Sequence, residues 1–144
     1  MKLRILRTDW QTHRTELSGL RRQVFIEEQG VPEDLEWDDQ DPSAVHFLAL
    51  DEAHAAVATA RVIPESNGEI RIGRFAVRAD QRRRGIGAEL LKEILIWARE
   101  QRYEKAVLSA QLSALALYEA AGFTAYGDTY LDAGIEHRSM TLKL

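Results

Sequence analysis

The sequence predicts one α/β domain, with a mixed, mostly antiparallel sheet of about six or seven strands flanked by helices. Its 144 residues suffice for one substantial core, and the 45% hydrophobic and 29% charged fractions are typical of a globular protein. Short apolar runs typical of strands alternate with segments whose apolar residues recur at helical spacing. Because no linker, repeat or low-complexity segment interrupts the chain, residues 1–144 are assigned to a single domain.

The first half of the chain predicts a strand, a helix and then two strands. Residues 2–7 alternate basic and apolar side chains, as a half-buried strand does. From about residue 12 to residue 29 the apolar side chains share one helical face, and Gly30 ends the segment. Two apolar runs follow at 44–50 and 55–63, which predict an antiparallel strand pair.

The next strand, residues 69–78, is predicted to contain a β-bulge. Asn67-Gly68 precedes it and favours a tight turn, since both residues tolerate positive φ angles. Apolar residues lie at even positions where the strand begins and at odd positions where it ends. One extra residue near Gly73-Arg74 restores the register, which is what a bulge supplies.

The second half of the chain predicts two helices and three strands. In order, these are a helix at 85–101, a strand at 106–110, a helix at 113–121 and strands at 123–126 and 135–142. The whole order alternates helices and strands around one sheet.

Charge and composition exclude several classes of protein. Nineteen basic and twenty-three acidic side chains give a net charge of −4, which argues against a nucleic-acid binder. The chain has no cysteine, so it holds no disulfide, thiolate metal site or cysteine nucleophile. No signal peptide or membrane span is visible, which makes a cytoplasmic protein without a membrane partner the expectation.

The most informative stretch predicts an anion site. A strand end is followed by three arginines and then by a helix whose first turn holds two glycines. Free N–H groups and the helix dipole attract phosphate at such a position, and glycines let a pyrophosphate approach the backbone. The candidate contacts are Phe75, Ala76, Val77, Arg82, Arg83, Arg84, Gly85, Ile86, Gly87 and Ala88. The spacing fits neither a Walker loop nor a dinucleotide fingerprint.

Two motifs carry a resemblance to a known superfamily. The sequence Arg82-x-x-Gly85-x-Gly87 after an apolar strand resembles the acyl-CoA pyrophosphate loop of the GCN5-related N-acetyltransferases (GNAT). About thirty residues later, 117–123 (Leu-Tyr-Glu-Ala-Ala-Gly-Phe) resembles the tyrosine-containing helix end of the same superfamily. The resemblance implies acetyl-CoA as cosubstrate, with no metal required. Many members carry asparagine where this chain has Gln111, whose amide is expected to contact the coenzyme instead.

A narrower resemblance covers other segments of the chain. Residues 20–31 (Leu-Arg-Arg-Gln-Val-Phe-Ile-Glu-Glu-Gln-Gly-Val), the acidic pattern at 36–41 and Gly134-x-x-His137 resemble the ElaA/YjcF-like branch, whose acceptors are undefined. The N-terminal pattern is also similar to the acyl-homoserine-lactone synthases, a distant alternative because their chains are typically longer.

The resemblance implies transfer of an acetyl group to an amine by direct attack. Tyr118 is the candidate acid, because a phenol protonates a leaving thiolate without being ionised at neutral pH. His137 is the candidate base; His46 and a water chain to a carboxylate remain alternatives. Backbone N–H groups around residues 75–77 are candidates to polarise the thioester carbonyl.

The acceptor and the partners are predicted more coarsely. Eight carboxylates crowd residues 27–41, where no lysine or arginine occurs, and such a field attracts a cationic acceptor. A solvated acidic loop and a divalent-cation surface site are alternatives. A non-catalytic acyl-CoA sensing module and a nucleotide-phosphate binder also remain open. The expected partners are acetyl-CoA and a small-molecule amine, with no nucleic acid, and the chain is a monomer or homodimer.

Overall fold

A computed structural model describes residues 2–144 as one seven-stranded sheet with helices on both faces. The strands are β1 Arg4–Thr8, β2 Val45–Leu50, β3 Ala56–Pro64, β4 Glu69–Val77, β5 Lys105–Gln111, β6 Thr124–Asp132 and β7 Ile135–Lys143. The helices are α1 Trp10–Arg21, α2 Glu33–Glu36, α3 Ile86–Glu100 and α4 Leu115–Ala120. Within these residues no helix is both long enough and apolar enough to cross a bilayer.

The sheet has the order β1-β2-β3-β4-β5-β7-β6. The pairs are antiparallel except β4 and β5, which run parallel. This parallel pair needs a crossover connection, and α3 supplies it. The predicted fold class, a mixed and mostly antiparallel sheet with flanking helices, is therefore confirmed.

The core lies mainly between the sheet and α3. Ile70 and Ile72 of β4 face Leu90, Leu91 and Ile94 of α3, all almost fully buried. On the opposite face, α1 contributes a smaller apolar cluster. These buried apolar surfaces hold β4 in place and so fix the position of everything that follows it.

The predicted helix at 12–29 differs from the observed one. Helix α1 begins at Trp10, because Oδ1 of Asp9 caps it by accepting a hydrogen bond from the Thr12 N–H at 2.7 Å. From Arg22 to Glu28 the helix continues in π turns, which the apolar periodicity does not reveal. These wider turns accompany the burial of Arg21, Val24 and Phe25.

The C-terminal hairpin is longer than predicted. Strand β6 extends to Asp132, although its apolar pattern ends at residue 126. A register shift between Tyr126 and Tyr130 keeps the exposed part paired with β7. The pairing depends on backbone hydrogen bonds, and hydrophobic patterning does not report those.

The predicted bulge in β4 is confirmed. Gly73 pairs with Arg61 and Ala76 with Thr59, so two residues of β4 oppose the single residue of β3 between them. Arg74, the first of those two, has a φ angle of +48°. The bulge bends β4 away from β5, its neighbour in the sheet.

Candidate active site

The central feature of the site is a cleft between two strands of the sheet. The β4–β5 ladder ends at Ile72 and Leu108, whereas the strands continue to Val77 and Gln111. The cleft that opens there has a volume of about 620 Å³. Beyond the last pair, the backbone groups of β4 that point toward β5 have no strand partner there, so they are available to a ligand.

One wall of the cleft is aromatic. The ring of Phe75 meets that of Tyr118 at 5.8 Å edge to face, and Tyr118 meets Phe123 at 6.0 Å. Burial raises the pKa of Tyr118, so its phenol keeps its proton through the ordinary pH range. Tyr118 lines the cleft, where a neutral hydroxyl is able to donate a hydrogen bond.

The loop between β4 and α3 has the geometry of an anion site. Gly85 stands immediately before α3 with φ of +79°, a conformation that a side chain disfavours. Gly87 lies in the first turn, where a Cβ atom would contact Phe75, Val77 and Leu117 at 3.5–3.6 Å. The free N–H groups of this helix start thus border the cleft without intervening side chains, which fits a pyrophosphate.

Arg82 ties this loop to the N-terminal half of the chain. Its Nη2 donates to Oε1 of Glu28 at 2.7 Å, its Nη1 donates to the other oxygen, and its Nε donates to the Val77 carbonyl at 2.9 Å. Both charged side chains are about two-fifths exposed. The guanidinium is therefore already paired, and a phosphate would share it with Glu28 or displace that carboxylate.

Gln111 reaches across the cleft. Its Nε2 donates to Oε1 of Gln29 at 2.9 Å, joining the end of β5 to the π turns after α1. Both amides line the cleft. Sequence analysis missed Gln29, because only the tertiary fold brings it beside Gln111.

His137 lies on β7 directly opposite Gln111 and lines the cleft. Its Nδ1 is 2.7 Å from the Ile135 carbonyl, and since a carbonyl only accepts, Nδ1 carries the hydrogen. In the neutral ring the lone pair is then on Nε2. The ring stacks on Tyr130 at 6.1 Å, and the Tyr130 hydroxyl contacts that of Ser109.

His46 occupies a different place. It is buried beneath α1, where its Nε2 donates to the Asp41 carbonyl at 3.0 Å and its ring lies 5.5 Å from Trp10. Burial lowers the pKa of His46, which keeps the ring neutral. Because it does not line the cleft, the structure gives the alternative base no access to a substrate there.

Three arginines and three carboxylates form a closed ring of alternating charges, here called the arginine–carboxylate ring. In order around it stand Arg21, Glu36, Arg74, Asp38, Arg61 and Asp41, with successive N–O separations of 2.7, 3.2, 3.3, 2.7, 3.2 and 2.7 Å. Arg21 also lies between the rings of Trp10 and Trp37, at 5.4 and 5.2 Å. The ring joins α1, α2, β3 and the β4 bulge.

The arginine–carboxylate ring and neighbouring ion pairs neutralise much of the acidic segment at residues 27–41. Five of its eight carboxylates pair with arginines: Glu28, Glu33, Glu36, Asp38 and Asp41. Their partners come from other parts of the chain, which the local run of acids does not reveal. The segment is thus largely neutralised, and its field is weaker than its sequence indicates.

Comparison with known proteins identifies the family. Residues 13–144 match the model of the acetyltransferase (GNAT) domain. The chain belongs to the GNAT family. It is therefore an acyltransferase.

Individual relatives place the chain within the GNAT family. A UPF0039 protein of Schizosaccharomyces pombe is 36% identical, covering 87% of this chain and 84% of that protein. The N-acetyltransferase YjcF of Bacillus subtilis, described as uncharacterized, is 27% identical, covering 84% and 86%. Escherichia coli ElaA has the same fold, with a TM-score of 0.87, 23% identity and coverage of 97% and 99%. The predicted resemblance to the ElaA/YjcF-like branch of the GNAT superfamily is confirmed.

The structure brings most of the predicted site residues of this GNAT chain to one cleft. Those that line it are Phe75, Ala76, Val77, Arg82, Gln111, Tyr118 and His137. Residues 83–88 do not line the cleft itself and form the loop and helix start beside it. Sequence analysis missed Arg61 and Arg74, which also line it; the phase change at Gly73-Arg74 was the signal that marked this part of β4.

Proposed function

We propose that this protein transfers the acetyl group of acetyl-CoA to the amine of a small acceptor by direct attack. The observation that supports this is the cleft beyond Ile72 and Leu108, which joins a glycine-rich helix start to a buried tyrosine and a histidine. The positive charge that the acidic segment predicts for the acceptor belongs, in this proposal, to its amino group, which is an ammonium ion in solution.

The residues that hold the coenzyme are those of the loop and the splayed strands. The N–H groups at the start of α3 bind the pyrophosphate, with Arg83 and Arg84 adding positive charge. Backbone groups of β4 between Gly73 and Val77 that have no partner on β5 bind the pantetheine arm of the coenzyme, which enters the cleft. Bound acetyl-CoA supplies the acetyl thioester.

Three groups of this chain act on the reacting atoms. The Nε2 atom of His137 accepts a proton from the acceptor ammonium, because Nδ1–H is held by the Ile135 carbonyl. Backbone N–H groups near the bulge stabilise negative charge that develops on the carbonyl oxygen. The amine nitrogen bonds to the thioester carbon, and the carbon–sulfur bond then breaks. The Tyr118 hydroxyl donates its proton to the leaving sulfur, and its raised pKa keeps that proton available. The phenolate regains a proton from the second N–H of the newly acylated nitrogen.

Calorimetric titration with acetyl-CoA tests the coenzyme half of the proposal. The wild-type chain is expected to bind at micromolar concentration, and an Arg84→Ala/Gly87→Glu variant is expected to lose binding. The variant removes the positive charge of Arg84 and adds a carboxylate at the helix start, where its negative charge opposes a bound pyrophosphate. Arg99→Ala, an exposed change on α3, is the matched control. Absence of binding at millimolar acetyl-CoA would refute the proposal.

Coenzyme release in the presence of amines tests the chemical half. Each amine is assayed by the free thiol produced and by the mass of the acetylated product. Nucleotides serve as competitors, because a nucleotide-phosphate binder would lose acetyl-CoA to ATP or NAD. Binding without turnover of any amine would argue against the acceptor class and leave the coenzyme site standing.

A further inference from the structure

Charges lining the cleft are separated between its two sides. Three of the four lining arginines, Arg61, Arg71 and Arg74, lie on β3 and β4, and the fourth, Arg82, lies in the loop that follows β4. The β6–β7 hairpin on the opposite side contributes Asp132 and His137. A ligand that spans the cleft therefore meets cations at one end and an acid and a base at the other.

The three arginines surround an open patch of the β4 backbone. Gly73 lies at its centre, and a Cβ atom added there would meet no heavy atom within 4 Å. Arg61 pairs directly with Gly73 across the strands, Arg71 precedes it by two residues, and Arg74 follows it in the bulge. Arg71 lies on the same strand face as Gly73 because the two residues are two apart. Arg74 is held beside Arg61 by Asp38, which pairs with both arginines. The open backbone at Gly73 is here called the Gly73 floor.

Two of these arginines have guanidinium groups available to a ligand. Arg71 is half exposed, and its ion pair is with Glu65 at 3.2 Å, a surface contact that exchanges readily. Arg74 is about one-quarter exposed, and its hydrogen bonds all use Nη2. Its Nε is buried against Glu36 at 3.2 Å, and Nη1 takes part in none of these contacts, so Nη1 is the donor left for a ligand.

The third arginine, Arg61, contributes positive charge without contacting the ligand. Arg61 is almost fully buried and is held through Nη1 by Asp38 and Asp41. Glu36, the carboxylate that also lines this side of the cleft, is shared between Arg21 and Arg74. The carboxylates on this side are therefore occupied, while Arg71 and Arg74 keep free donors.

We propose that the acceptor carries an oxyanion, a carboxylate or a phosphate, that Arg71 and Arg74 bind at the Gly73 floor while its amine lies beside His137. Planar guanidinium groups bind both oxyanions through paired N–H donors. Asp132 attracts the ammonium end before His137 takes its proton. This inference rests on the proposed acetyl transfer and adds the substrate class.

Acceptors matched in their amine but different in the charge of the far end test the inference. One series compares 4-aminobutyrate, butylamine and putrescine, whose far ends are anionic, neutral and cationic. A second compares phosphoethanolamine with ethanolamine, and a third compares amino acids with their amides. In each series that contains a substrate, the anionic member is expected to have a kcat/KM at least tenfold higher than its neutral or cationic counterparts. Comparing this ratio between the carboxylate series and the phosphate series shows which oxyanion the site prefers.

Variants connect that preference to the named side chains. Arg71→Gln is expected to remove most of the advantage of the anionic member by raising its KM, while the KM for acetyl-CoA is unchanged. Glu65→Gln removes the ion-pair partner of Arg71. It is expected to lower the KM for the anionic acceptor or leave it unchanged. Arg99→Gln on the exposed face of α3 is the control for loss of one positive charge.

The outcomes separate this inference from the proposed function. Preference for the neutral or cationic member, or an anionic preference untouched by Arg71→Gln, would overturn the inference while leaving acetyl transfer in place. Acetyl-CoA binding without turnover of any carboxylate- or phosphate-bearing amine would also overturn it. Failure to bind acetyl-CoA at all would instead refute the proposed function.

Discussion

The Nε atom of Arg74 lies 3.2 Å from Oε2 of Glu36, and this contact joins the β4 bulge to α2. Both side chains line the cleft, so the contact connects two of its walls. Arg74 holds a φ angle of +48°, which is unfavourable for a side chain with a Cβ atom. The arginine–carboxylate ring offsets that strain and fixes the bulge that separates β4 from β5.

Removing Glu36 is expected to destabilise the fold strongly. Glu36→Ala leaves Arg21 and Arg74 short of a carboxylate in a buried ring, and breaking such a pair costs about 3–5 kcal/mol of unfolding free energy. Denaturant unfolding measures the change. Glu33→Ala is the control and is expected to change stability little, because it removes only an exposed ion pair with Arg22 and a long, exposed hydrogen bond from Trp37 Nε1 at 3.4 Å. Equal effects of the two substitutions would contradict the role of the ring.

Burial of His46 is expected to make the protein less stable in mild acid. The folded-state pKa of His46 is lowered below the ordinary value of 6.5, so the unfolded chain binds the proton first as pH falls. The free energy of unfolding should therefore decrease below about pH 6.5, by at most about 1.4 kcal/mol per pH unit for one proton. His46→Gln should flatten this part of the profile relative to the exposed His54→Gln, and an unchanged slope would exclude His46 as the cause.

Loss of the Tyr118 hydroxyl is expected to slow the reaction without weakening coenzyme binding. Tyr118→Phe keeps the ring contacts with Phe75 and Phe123 and removes the proton donor. General acid catalysis contributes roughly 10²–10⁴-fold, so kcat should fall by that factor. Steady-state kinetics and calorimetry measure the two quantities. Full turnover by the variant would remove Tyr118 from the mechanism.

Replacement of His137 is expected to remove the proton acceptor. His137→Ala should lower kcat by about 10²–10⁴-fold, and added imidazole should restore part of the rate through the space left beside Tyr130. His54→Ala, an exposed histidine, provides the comparison. A variant with unaltered kcat would favour the alternative of a water chain to a carboxylate.

Two glycines of the site are expected to respond differently to alanine. Gly85→Ala places a Cβ atom on a backbone with φ of +79° and should cost about 1–2 kcal/mol of stability together with coenzyme affinity. Gly73→Ala has open space and no positive φ angle, so the strand should keep or slightly gain stability. Thermal unfolding of both variants tests this contrast, which equal losses would contradict.

Local patterns in the sequence were sufficient for the fold class, the β4 bulge and the loop before α3. The bulge shows in the phase of the apolar residues around Gly73, and the loop in the glycines at 85 and 87, because both features depend on neighbours in the chain. Only the tertiary structure placed Gln29 beside Gln111, turned His46 away from the cleft and paired the acidic segment with Arg21, Arg61 and Arg74. These arrangements depend on contacts between residues far apart in the sequence, and neither periodicity nor composition carries that information.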